Sequence, residues 1–89
     1  MSPDPVILYL VMVRNQPDAD LVDEMIAAFQ DIDLAHQQLL VCANAKHAYQ
    51  DFFLDVVLFR TAPGDITTDE LEAIEVAEEE VARRGLLRA

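Results

Sequence analysis

Eighty-nine residues make a single small domain, and a chain that short buries only roughly 60% of its unfolded surface, so it normally leans on disulfides, a metal or a partner. The lone cysteine, Cys42, excludes an internal disulfide, and Cys42 with His36 and His47 in the spacing H-x5-C-x4-H fits no common zinc pattern. Six basic against 17 acidic residues give a net charge of −11, which repels bare nucleic acid and anionic membrane and leaves basic proteins, cations and neutral small molecules as permitted partners.

A hydrophobic content of 53% argues against disorder, which pairs high charge with low hydrophobicity. Residues 1–5 carry two prolines and read as an irregular lead-in. Residues 6–13 (VILYLVMV) read as a strand buried on both faces. That run is too short to span a bilayer and has no basic segment before it, so a soluble cytoplasmic protein is expected. Residues 15–20 (NQPDAD) form a turn cluster. From about residue 20 to 32, Leu21, Met25, Ile26, Phe29 and Ile32 recur at helical spacing, with Asp23, Glu24 and Asp31 off the stripe, which predicts an amphipathic helix.

The middle of the chain has two readings. Residues 38–43 and 49–61 can form a β-hairpin turning near 44–47, or residues 34–60 can form one long helix, since no Pro or Gly interrupts them. The segment FFLDVVLF favours the hairpin, because aromatics and paired valines pack well on a pleat. Residues 62–65 (APGD) break the chain, and Thr67 with Glu70 fits a capping box ahead of a helix over about 68–84 with Gly85 as its C′ residue. Leu71, Ile74, Ala77 and Val81 make the inner stripe of that helix.

The expected order is therefore β-α-β-β-α, one α+β domain over residues 1–89, read as a ferredoxin-like sandwich with its last strand short or absent. Leu86 and Leu87 are the residues that would begin that strand. Right-handed crossovers place both helices on one face of the sheet. Neither face is polar: Val6, Leu8, Leu10 and Met12 oppose Ile7, Tyr9, Val11 and Val13, while Phe52, Leu54, Val56 and Leu58 oppose Phe53, Val57 and Phe59. An uncovered apolar face predicts a sheet-to-sheet homodimer through residues such as Phe53, Val57 and Phe59, with Asp51 and Asp55 at the rim or paired with Arg14 or Arg60. A sheet with one helix on each side is the alternative.

Residues 65–80 hold eight acids and no base. The plain reading is a solvated helix face with Glu79–Arg83 and Glu80–Arg84 pairs. The functional reading is a stripe of Glu72, Glu75, Val76, Glu79 and Glu80 that docks a basic protein or mimics a nucleic-acid backbone. Cys42 reads as a small hydrophobe. Ser2 is the only serine, Gly64 and Gly85 are the only glycines, and there is no tryptophan, so no serine nucleophile, phosphate loop or single-strand-binding platform is signalled. No metal or cofactor is expected, and no residue is assigned a catalytic role. The leading expectation is a non-enzymatic, homo-oligomeric interaction protein. The second is a cofactor-independent enzyme or small-molecule binder whose pocket would draw on Tyr9, Arg14, His36, His47, Tyr49 and Arg60.

Overall fold

A computed structural model describes residues 5–15, 23–61 and 63–87. Strand β1 spans Val6–Asn15, β2 Glu24–Phe29 and β3 Gln50–Phe59, and helix α1 spans Ile32–Asn44 and α2 Thr68–Arg83. The class is α+β, but the order is β-β-α-β-α, so the β-α-β-β-α order assumed for a ferredoxin-like sandwich is corrected. β1 lies at the centre of the sheet, in the order β2-β1-β3, and pairs antiparallel with both neighbours. β2 and β3 consequently run parallel to each other with β1 between them, and α1 carries the chain across.

The helix expected over 20–32 is replaced by a strand. Of that stretch, 20–22 lies outside the described residues, and 24–29 is extended, with Tyr9 opposite Phe29, Leu10 opposite Ala28 and Val11 opposite Ala27. Between Val11 and Met12 the register shifts, so that Met12 faces Met25 and Ile26 is left over as a bulge. A bulged strand imitates helical spacing, because the extra residue turns a period of two into a mixed period of two and three. A helix instead starts where the expected one ended: the Asp31 carboxylate accepts the Asp33 N–H at 2.7 Å and caps α1, whose Ala35 and Leu39 are buried one turn apart.

The middle of the chain also departs from both expected forms. Residues 38–43 are helical rather than a strand, and 34–60 is neither a hairpin nor one helix: α1 ends at Asn44 and β3 begins at Gln50. The strand expected over 49–61 is present with its ends trimmed. Helix α2 follows its sequence signals closely. The Thr67 hydroxyl accepts the Glu70 N–H at 3.1 Å, the Glu70 carboxylate accepts the Thr67 N–H at 2.8 Å, and Gly85 adopts φ 71° just past the end.

Both helices pack on the same face. Val11 of β1 and Leu54 and Val56 of β3 form one buried cluster with Ala35 and Leu39 of α1 and Ala77 and Val81 of α2. Ile7, Tyr9, Ala27, Phe29 and Phe52 pack against it from the same side of the sheet. The alternative of one helix on each face is thereby set aside. Leu86, expected to open a last strand, gives the sheet one backbone bond: its carbonyl accepts the Leu54 N–H at 2.8 Å on the outer edge of β3.

Glu70 is the one buried charged side chain among the described residues, 7% exposed, with Arg60 Nε 3.0 Å from its carboxylate. The Thr67 backbone N–H, then the Thr67 hydroxyl and the Arg60 guanidinium, hold its pKa below the ordinary carboxylate value against the opposing effect of desolvation. A carboxylate depressed in the folded state stabilises the fold above its unfolded pKa, and that contribution is lost as pH falls through the depressed value. Urea midpoints measured down the acid limb are therefore expected to fall less steeply in Glu70→Gln than in the wild type; parallel limbs would refute the assignment.

Candidate functional site

The face of the sheet turned away from the helices has no cover from either helix. Across β1 and β3, Val6 pairs with Phe59, Leu8 with Val57, Leu10 with Asp55 and Met12 with Phe53. Leu8, Leu10, Met12 and Val57 are half-buried, and Met25 and Phe59 are exposed at 60% and 56%. At ~3.3 Å per residue and ~4.8 Å between strands, two ten-residue strands and one of six make a sheet of roughly 400 Å², and Arg14, Asp51 and Asp55 share this face with the apolar side chains. Of the three residues expected to self-associate, Phe53, Val57 and Phe59 do share this face, but Phe53 is only 6% exposed and already belongs to the interior of the monomer. Val57 and Phe59 are the two with surface to offer.

Charge on this face sits at one end, with Arg14 and Asp51, and at its middle, where Asp55 stands opposite Leu10. Arg14 holds Asp23 through two bonds, Nε at 2.7 Å and Nη2 at 3.0 Å, and stands opposite Asp51 in the register. Asp55 is the acid in the middle of β3, and its Oδ1 accepts the N–H of Val56 at 2.9 Å. Arg60, the other cation expected near these acids, is committed to Glu70 and to the carbonyls of Gly64 and Asp65.

The acidic stripe lies on α2, on the helix side of the molecule. Glu72, Glu75, Val76 and Glu79 are exposed, with Val76 at 61%. Glu80 departs from them: it is half-buried and bound to Arg83 at 2.6 Å and to Arg84 at 3.1 Å. The expected Glu80–Arg84 pair forms, whereas Arg83 pairs with Glu80 instead of Glu79.

Arg84 does more than its helical spacing announced. Its Nη1 lies 2.9 Å from Asp33 and 3.3 Å from His36 Nδ1, so one guanidinium joins α2 to the first turns of α1. Since Arg84 donates, His36 Nδ1 is the acceptor in this bond. Beside this bridge, β1 and α2 bound an open cleft of about 360 Å³, with Ile7 and Tyr9 from the strand and Ala73, Val76 and Ala77 from the helix. Glu79, Glu80 and Arg83 complete its lining. Burial first, and then the Glu80 carboxylate, push the Tyr9 phenol above its ordinary pKa.

Of the six polar side chains expected around a pocket, only Tyr9 lines this cleft, with His36 close by on the other side of Arg84. Arg14 is on the opposite side of the sheet, Arg60 belongs to the Glu70 pair, and His47 and Tyr49 stack on each other in an exposed turn with ring centroids 5.3 Å apart. Cys42 is half-buried, with the Gln38 amide 3.9 Å from its sulfur. Among the described residues no three His, Cys, Asp or Glu side chains gather as a metal site, and no helix is long and apolar enough to cross a membrane. No family model matches the chain, and no curated protein or solved structure does.

Proposed function

We propose that the protein is a self-associating interaction domain, a homodimer in which the sheet face turned away from the helices packs on the same face of a second copy. The observation that carries this reading is the apolar strip of Leu8, Leu10, Met25, Val57 and Phe59 on the side of the sheet that neither helix covers. A second copy is favoured over other occupants by symmetry rather than by charge. A chain of net charge −11 repels its own copies, so the apolar side chains of the strip have to outweigh that repulsion and the Asp55 carboxylate opposite Leu10. A two-fold axis through the face also makes one patch serve as both halves of the interface. The acidic face of α2 points away from such an interface and stays open to a basic partner.

Phe59 gives the cleanest test, because it is exposed in the monomer and its loss leaves the helix-side core untouched. Burying an aromatic side chain contributes about 2 kcal/mol per copy, so Phe59→Asp removes about 4 kcal/mol from a two-fold interface, roughly a thousandfold in dissociation constant. Light scattering at micromolar concentration is expected to give the mass of two chains for the wild type and of one chain for Phe59→Asp, with matching circular dichroism. A wild-type protein that runs as one chain sinks the proposal, as does a Phe59→Asp variant that stays dimeric.

A further inference from the structure

The cleft between β1 and α2 lies on the helix side of the sheet, so a ligand seated there does not depend on self-association. Its interior is apolar and its rim is charged, and the two halves call for different parts of one ligand. Ile7, Ala73, Val76 and Ala77 present aliphatic surface. The alanines at 73 and 77 are what leave space there; longer side chains at those positions would close it. Val76 stands 61% exposed among acids, an apolar residue that the packing of α2 on the sheet does not require. The Tyr9 ring adds an aromatic surface.

At the rim, Arg83 is already bound to Glu80, and Glu80 is shared with Arg84. Glu79 forms no ion pair among the described residues and is exposed beside the cleft. The lining thus carries two carboxylates and one guanidinium, with Arg84 behind Glu80, so that Glu79 is the lining carboxylate not engaged by an arginine, within a strongly negative molecule. An anionic ligand is disfavoured by the charge of the whole molecule. A cation gains a carboxylate partner in Glu79 and the face of Tyr9, whose ring quadrupole attracts positive charge.

We propose that this cleft binds a small amphipathic amine, its apolar body seated against Ile7, Tyr9, Val76 and Ala77 and its ammonium group held by Glu79 of the same lining. The volume of about 360 Å³ is at the low end for ligand pockets, which limits the body to about one ring or a short chain. The phenol stays protonated throughout the physiological range, so Tyr9 offers the ligand a lone pair and a π face without adding a charge of its own.

The other cleft, of about 470 Å³ at the end of β3, supports no such assignment. Its one cation, Arg60, has its guanidinium occupied by Glu70 and two backbone carbonyls, and so is not offered to a ligand.

The test is a titration of the full chain with phenethylammonium, monitored by amide and methyl chemical shifts. Phenylacetate serves as the probe of matched shape and opposite charge, and methylammonium as the cation without a body. Saturable shifts confined to Ile7, Tyr9, Ala73, Val76 and Ala77 are expected with phenethylammonium only, with a dissociation constant around 1 mM. Glu79→Gln, a substitution on an exposed helix face, is expected to weaken binding about tenfold or more while leaving the spectrum otherwise folded. Equal binding of phenylacetate, equal response to methylammonium, shifts elsewhere on the molecule, or an unchanged affinity in Glu79→Gln would each overturn the assignment.

Discussion

Leu54→Ala is expected to destabilise the domain by about 3–4 kcal/mol, enough to bring much of the population to the edge of unfolding. Leu54 is 1% exposed and is one of the largest fully buried side chains, at the point on β3 where α1 and α2 both reach the sheet. Truncating a buried leucine costs the lost transfer free energy plus a cavity contribution, and the latter depends on whether neighbours can close in. Here two of those neighbours, Ala35 and Ala77, have no side chain left to move, while Val11 and Val81 are β-branched and stiff at χ1. The site therefore falls in the upper part of the usual range. A domain of this size can hold as little as about 5 kcal/mol in total.

In urea, at about 1 kcal/mol per molar for a small protein, the midpoint is expected to drop by about 3 M. Leu40→Ala is the control: Leu40 is on α1 but 49% exposed, so its truncation is expected to change little. Similar losses in the two variants would mean that the buried cluster is not centred where the packing places it.

How legible each part of this fold is in the sequence depends on how local its causes are. Helix α2 is legible nearly to the residue, since Thr67, Glu70 and Gly85 act through contacts three or four positions away. β3 is legible from FFLDVVLF for the same kind of reason. β2 is not. Its residues 24–29 include two alanines and no β-branched residue but Ile26, and they are extended because the central strand β1 needs a partner on that side. The bulge at Ile26 then disguises the strand as a helical stripe.

A hidden β2 also hides the start of α1, and with it the Arg84 bridge. Asp33 and His36 stand three apart on one helical face, a spacing with meaning only once that stretch is known to be a helix. Burial also redistributes the expected self-association residues. Alternation puts Phe53, Val57 and Phe59 on one face correctly, but exposure depends on what surrounds each residue, and period-two patterning is silent about that.

The largest effect on assembly is expected from Asp55→Val, which is predicted to convert a protein of defined mass into open-ended aggregates. β3 is an edge strand of ten residues, seven of them large and apolar, and such an edge is a template for further strands. Two of its outward N–H groups are already occupied. That of Leu54 goes to the Leu86 carbonyl, and that of Val56, two residues on and so pointing the same way, goes to the Asp55 carboxylate. Asp55 thus closes the stretch of edge beyond Leu86 and sets a charge there that a second edge strand would have to desolvate.

Valine removes the acceptor and the charge together and supplies a residue with high strand preference. Asn at the same position keeps an acceptor for the Val56 N–H while losing the charge, so it separates the two contributions. Light scattering over time is expected to rise for Asp55→Val, to stay level for the wild type, and to fall between them for Asp55→Asn. A level trace for Asp55→Val would mean that the edge is protected by something other than Asp55. The distinction matters for the proposed dimer, because face-to-face packing ends at two copies whereas edge-to-edge pairing of sheets has no such limit when both edges are open. A chain that uses its sheet face to associate has reason to keep its edge shut, and the Asp55 carboxylate does so by turning back to the Val56 N–H on the outer edge.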